Sequence, residues 1–191
     1  MLNFGLALAE NQDPQEPDIV PEFTYRVVKP GNIRLLLIHP RSYSEPIRCS
    51  LVEVSIEQPP RFEATSYTWG SEEKPGVAIV DGKLLRITQN AYDLLQDLSS
   101  LCFPRLIWID SISINQDDDI EKSEQIQLMT QIYQKASRVI VWLGNNPRAA
   151  SDAQLSIITP DACERWQALR LFLCHPWFNR IWVVQEIALA R

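Results

Sequence analysis

The chain has 191 residues, 46% of them hydrophobic, with a formal net charge of −6 and a pI near 5.0. That length suits one domain with a sizeable core, and the acidic balance argues against a nucleic-acid-binding surface. No apolar run approaches the ~20 residues of a membrane-spanning helix, and residues 1–9 lack the basic flank and length of a secretion signal, so a soluble, cytoplasmic protein is expected.

Residues 1–22 are polar and rich in proline (Pro14, Pro17, Pro21) and read as a flexible leader to a folded domain over 23–191. Residues 23–28 and 33–39 are apolar runs separated by Lys29-Pro30-Gly31-Asn32, which predicts a β-hairpin. Residues 47–56 form a further strand, ended by Pro59-Pro60. Residues 62–67 read as a central strand, with 69–76 as the loop at its functional end. A second hairpin joins 77–80 to 84–87 through Asp81-Gly82, a strong turn signal. Thr88 or Asn90 then caps a helix reaching Leu101, with Leu94, Leu95, Leu98 and Leu101 on one face.

The stretch from Leu106 to Gly144 organises the rest. Residues 106–109 suit a short buried strand, followed by a polar loop from Ser111 to Asp117. Asp117 or Asp118 caps the next helix, with Glu121 in its first turn. Ile126, Met129, Ile132, Tyr133 and Ala136 recur at helical spacing and predict one buried face. Residues 138–143 are a second apolar run, ended by Gly144. Two buried strands joined by an amphipathic helix form a right-handed parallel crossover. Ligands of such sheets sit beyond the carboxyl ends of the strands, where residues 110–116 and 144–146 fall. Residues 145–159 read as loop, and 161–173 as a helix with Trp166, Leu169, Leu171, Phe172 and Leu173 partly buried. His175-Pro176-Trp177 breaks it, and 181–190 is a last helical run.

Familiar chemical fingerprints are missing. There is no GxGxxG and no GxSxG. Gly76 to Gly82-Lys83 is one residue too long for a phosphate loop and is followed by Leu84, so the hairpin reading prevails. The histidines, His39 and His175, fall at a strand end and in a turn, which disfavours His-dependent acid–base chemistry. Cys49, Cys102, Cys163 and Cys174 form no CxxC pair, so small buried thiols are expected rather than a metal site. Two polar groupings remain. Asp110, Ser111, Asn115 and Gln116 fit recognition of a polar ligand, and equally fit loop and cap chemistry. Trp182 and Glu186 share one helix face, which suits ring stacking beside a carboxylate, or simply a core tryptophan and a solvated glutamate.

Taken together, several stretches resemble the fungal heterokaryon-incompatibility (HET) domain: Ala64-Thr65-Ser66-Tyr67-Thr68-Trp69-Gly70, Trp108 to Gln116, Gln125 to Gly144, and Pro176-Trp177-Phe178-Asn179-Arg180 with Trp182 to Glu186. The resemblance runs from about residue 23 to the end. Ser113 stands where the family usually has cysteine, which puts an essential thiol there out of the reading. More remotely, the order of Ser66-Tyr67, Ile109-Asp110, the helix to Ala136, the strand after it and Trp182–Glu186 is similar to that of TIR (Toll/interleukin-1 receptor) domains with their WxxxE motif.

That resemblance implies an α/β, TIR-like (flavodoxin-like) three-layer sandwich. Its short parallel sheet of 62–67, 106–109 and 139–143 would be extended by antiparallel N-terminal strands. It implies an effector of non-self recognition and programmed cell death that self-associates, alongside an upstream receptor or allelic incompatibility partner. It further implies hydrolysis of the nicotinamide–ribose bond of NAD, with Glu186 as the catalytic residue and NAD as substrate, without metal or cofactor. Tyr67, Trp69, Gly70, Asp110, Asn115 and Gln116 would line the cleft, with Trp182 beside Glu186. The alternative is a non-catalytic module whose loops make homotypic contacts. TIR domains continue with further strands after WxxxE, whereas Arg191 follows closely on Glu186. Either the N-terminal hairpins complete the sheet or the chain is a piece of a longer protein.

Overall fold

The computed structural model describes residues 20–145 and 162–180. The expected leader up to residue 19, the loop over 146–159 and the last helical run with Trp182 and Glu186 lie outside the described residues.

A seven-stranded mixed sheet forms the frame. Its strands are β1 (Asn32–Ile38), β2 (Arg48–Ser55), β3 (Glu63–Tyr67), β4 (Gly76–Val80), β5 (Lys83–Ile87), β6 (Arg105–Trp108) and β7 (Val139–Trp142). They lie in the order β5-β4-β2-β1-β6-β3-β7. β6, β3 and β7 are parallel neighbours, with Ala64 opposite both Trp108 and Val139. The parallel trio is therefore the one read from the sequence. β3 lies at its centre, so the helix joining β6 to β7 crosses over β3. β1 runs antiparallel to β6 and extends the sheet, followed by β2, β4 and β5.

Helices cover both faces. Helix α1 (Gln89–Leu98) buries Ala91, Leu94, Leu95 and Leu98 against Leu36, Ile38, Ile107, Ile109 and Tyr67. After the short α2 (Asp110–Ser113), α3 (Asp119–Lys135) buries Met129, Ile132 and Tyr133 against Ile33, Leu35, Phe62, Ala64 and Trp108. Strand alternation explains the split, since successive residues of β6 point to opposite faces. The caps are Thr88 for α1 and Asp118 for α3, each side chain accepting from free N–H groups of the first turn. A fourth helix, α4 (Ala162–Leu173), leads into a 3₁₀ turn over Pro176–Asn179. None of the described helices is long and apolar enough to cross a membrane.

Several expectations are corrected. The first hairpin pairs β1 with β2, Asn32 opposite Ser55, and not with residues 23–28. The turn at Lys29–Asn32 is real, but Phe23 instead bonds the edge strand β5: its N–H donates to the Leu84 carbonyl at 2.7 Å, and Leu84 N–H donates to Pro21 at 2.9 Å. The loop after β6 begins with a helical turn, α2. Helix α1 stops at Leu98, where Ser99 turns extended and its hydroxyl donates back to the Leu95 carbonyl at 2.6 Å; Leu101 is exposed. In α4, Trp166, Leu171 and Leu173 are exposed, because packing runs through the small Ala168 and through Phe172, whose ring meets Phe178 edge-on. Of the cysteines only Cys49 is buried, its thiol pushed up to about 12 by burial and by the nearby Asp81 charge; Cys102, Cys163 and Cys174 are exposed.

Ile126 also departs from its expected core position, at 41% exposure. The first half of α3 buries Glu121 and Gln125 in its place. Both Glu121 oxygens accept from the Arg34 guanidinium, at 2.5 and 2.8 Å, and Gln125 donates to the Asn32 carbonyl at 2.9 Å. Arg34 also donates to the Ser113 and Arg26 carbonyls, while Glu121 accepts from Asn115 N–H at 2.7 Å. The Tyr25 ring lies 5.1 Å from the guanidinium and its hydroxyl donates to the Ile112 carbonyl. This cluster ties β1, the start of α3 and the loop after β6 into one unit.

Removing one partner of such a pair strands a buried charge. Glu121→Ala is expected to cost about 3–5 kcal/mol in urea unfolding, whereas the double variant Arg34→Met/Glu121→Leu should cost much less than the sum of its single changes. A second expectation concerns pH. Glu63 is partly desolvated, which raises its pKa, but the paired Arg105 and Arg138 outweigh this and hold it below the ordinary carboxylate value. A depressed acid stabilises fully above its unfolded pKa and loses that contribution as pH falls through its folded pKa. The stability gap between wild type and Glu63→Gln, followed by urea midpoints from pH 6 down to about pH 3, should therefore shrink as pH falls.

Candidate functional site

A cavity of about 580 Å³ opens at the carboxyl ends of β3 and β6. This is the position at which parallel sheets hold ligands, and the volume falls within the range of small-molecule sites. β3 runs out into Thr68, Trp69 and Gly70; β6 runs out into Asp110, with Ile114 and Gln116 following α2. Helix α3 supplies Lys122, Ile126 and Met129, and the 3₁₀ turn supplies Pro176, with Arg180 just beyond it. The exposure of Ile126 is thereby explained: it faces this cavity and not the core.

The polar groups are held by one another. Trp69 Nε1 donates to Asp110 Oδ2 at 2.9 Å, and Ser111 N–H donates to Asp110 Oδ1 at 2.8 Å. Gln116 Nε2 donates to the Asp110 carbonyl at 2.9 Å. Asp110 thus sets the indole, the start of α2 and the Gln116 amide together. Arg180 donates to the Tyr67 carbonyl at 2.5 Å, and Trp177 Nε1 donates to Ser66 Oγ at 2.7 Å. Those two bonds anchor the 3₁₀ turn to the end of β3, although they lie more than a hundred positions apart in sequence.

Of the residues singled out from the sequence, Trp69, Gly70, Asp110 and Gln116 line one cavity. Tyr67 does not reach it. The side chain is buried against Trp142 and its hydroxyl donates to Ser111 Oγ at 2.6 Å. Burial, with the Asp110 charge beside it, pushes the Tyr67 phenol well above its ordinary range. Asn115 works on the backbone: its N–H donates to Glu121 and its side-chain oxygen accepts from Asp117 N–H. Lys122, Met129, Pro176 and Arg180 carry no motif that sequence reasoning weighed as a site. The available signal was that Met129, Pro176 and Arg180 fall in stretches that resemble the HET domain; Lys122 falls in none of them.

The arrangement offers an apolar floor (Ile114, Ile126, Met129) beneath one carboxylate, one amide, one indole and two cations. It suits a flat, partly polar ligand bearing charge. Among the described residues no group of acids, histidines and cysteines is placed to hold a metal ion.

Residues 62–186 match the family model described as "Heterokaryon incompatibility protein (HET)". The chain is 39% identical over 127 residues to heterokaryon incompatibility protein 6, OR allele, of Neurospora crassa. That match covers 59% of this chain and 19% of the relative, so the chain spans about a fifth of that protein's length. No solved structure matches.

The Trp69-Gly70 corner gives a test of the site's construction. Gly70 and Gly31 share φ +76°, but a Cβ on Gly70 would stand 2.8 Å from Asn90 Nδ2, whereas one on Gly31 meets nothing within 4 Å. Asn90 Nδ2 donates to the Thr68 carbonyl at 2.8 Å and would be displaced. Both alanine substitutions should carry about 1–2 kcal/mol of left-handed backbone strain. Gly70→Ala should cost about 1 kcal/mol more for the lost hydrogen bond, a difference that urea unfolding would read directly.

Proposed function

Because the chain belongs to the heterokaryon incompatibility (HET) family, we propose that it is an effector domain of fungal non-self recognition and cell death, and that it acts by hydrolysing NAD when copies associate. The observation that carries this reading is the cavity at the carboxyl ends of β3 and β6, where the family-matched segments supply Trp69, Gly70, Asp110 and Gln116. Its fold is proposed to be of the TIR type, and its setting the cytoplasm, under the control of an upstream receptor or allelic partner.

The chemistry asks little of the protein. The bond between nicotinamide nitrogen and ribose C1′ breaks, and the nitrogen keeps the electron pair. Positive charge builds on the ribose as an oxocarbenium ion, as in glycoside hydrolysis. Water adds to C1′ and loses a proton, giving ADP-ribose, nicotinamide and H⁺. A carboxylate against the ribose hydroxyls stabilises that charge and orients the sugar. Glu186 is the proposed carboxylate. Asp110, fixed by its bonds to Trp69 and Ser111, favours the cationic nicotinamide ring of the bound substrate. The apolar floor excludes water, which strengthens each of these charges.

The test is NAD consumption by concentrated purified protein, wild type against Glu186→Ala, with folding checked by circular dichroism. The expected result is turnover in the wild type that falls by about 10²–10³ in the folded variant. A folded wild type that consumes no NAD, including in a longer form of the chain, would replace this reading with that of a non-catalytic module making homotypic contacts.

A further inference from the structure

A second cavity, of about 500 Å³, adjoins the first. Trp69 and Gln116 line both, so the two meet along these side chains. The walls of the second are of a different character. Phe23 and Tyr25 form an aromatic side, their rings edge-on at 5.0 Å. Lys74 and Arg86 bring two cations to its lining, together with the carboxylates of Glu72 and Asp117. Arg86 makes an exposed pair with Glu22 at 3.5 Å, a contact that solvent screens strongly.

The aromatic wall is fixed to the site. The Tyr25 hydroxyl donates to the Ile112 carbonyl at 2.9 Å, inside the α2 turn that Asp110 begins. Phe23 is bonded through its backbone to Leu84 of β5. The segment before β1 thus runs from the β5 edge of the sheet to the loop that lines the first cavity. Every residue lining the first cavity falls within the residues matched to the family, 62–186, and so do Lys74 and Arg86 of the second, whereas Phe23 and Tyr25 precede them. The Asp110 carboxylate, which suits a cationic ring, lines the first cavity and not the second.

We propose that the two cavities are one elongated site, bent around Trp69, and that the second holds the non-reacting adenosine-phosphate half of a dinucleotide. The diphosphate linker sits on Lys74 and Arg86, and the adenine base lies against Phe23 and Tyr25. This rests on the NAD reading given above. The chemistry matches piece by piece: cations with the acidic linker, aromatic faces with a neutral purine, and the Asp110 carboxylate with the cationic ring at the other end.

The experiment is isothermal titration of the full chain with NAD and, separately, with nicotinamide riboside, which keeps the cationic ring and ribose but carries no phosphate, in the wild type and in Lys74→Glu/Arg86→Glu. Both changes are on exposed side chains, and circular dichroism checks the fold; Lys74→Gln/Arg86→Gln serves as a milder second variant. The expected result is a Kd for NAD about tenfold or more higher in the charge-reversed variant, with the Kd for nicotinamide riboside changed less than twofold. Equal effects on the two ligands, or no effect on either, would overturn the two-part site. The outcomes separate from those of the function itself. NAD consumed with an unchanged KM in the variant sinks this inference and leaves the hydrolase standing. NAD bound with the expected discrimination but not consumed does the reverse. No NAD binding by the wild type overturns both.

Discussion

The buried pair of Arg34 and Glu121 is the constraint around which the working end of this molecule is arranged. Taking two full charges out of water is costly, and it is offset only when every donor and acceptor finds a partner. Here the partners are backbone groups of the loop that carries Asp110 and Gln116 and of the segment before β1. The Ser113 carbonyl, the Asn115 N–H and the Arg26 carbonyl all close on the pair, and the Tyr25 ring covers it. The loop after β6 contains no glycine or proline and holds its shape because those bonds are made.

The same pair sets how α3 lies. Its first half turns Glu121 and Gln125 inward, and only its second half buries apolar side chains against the sheet. Ile126 is thereby turned toward the cavity, where with Met129 and Ile114 it supplies apolar surface. Core packing and cavity lining are two consequences of one helix rotation. On the opposite face α1 packs by ordinary amphipathic burial, and Asn90 at its start supports the Thr68-Trp69-Gly70 corner through the Thr68 carbonyl. The site is thus held from both layers.

Hydrogen bonds from distant segments complete it. Trp177 to Ser66 and Arg180 to the Tyr67 carbonyl bring the 3₁₀ turn against the end of β3, and Asp110 gathers Trp69, Ser111 and Gln116. Trp69, Gly70, Asp110 and Gln116 were legible as site candidates because they lie in the segments that leave the carboxyl ends of β3 and β6, where the rule for parallel sheets places ligands. Tyr67 and Asn115 satisfy the same rule and turn elsewhere. Alternation sends Tyr67 to the α1 face, and Asn115 serves the loop's own backbone. Proximity in sequence says which residues reach the right end of the sheet, not which way they point.

By itself the sequence determined the elements with strong local signals. The parallel crossover from β6 to β7, the Asp81-Gly82 hairpin, and a cap at Thr88 or Asn90 and at Asp117 or Asp118 all follow from periodicity, turn chemistry and free N–H groups within a few residues; the structure then selects Thr88 and Asp118. Tertiary structure decided what depends on partners far along the chain. It paired β1 with β2 and left residues 23–28 unpaired with it, a choice between two apolar runs that look alike locally. It put β3 between β6 and β7. It also placed a glutamate and a glutamine of α3 inside, because the arginine and the backbone carbonyl that receive them lie on β1. Local pattern records what a segment does for itself; burial of a polar group depends on a partner that the segment does not contain.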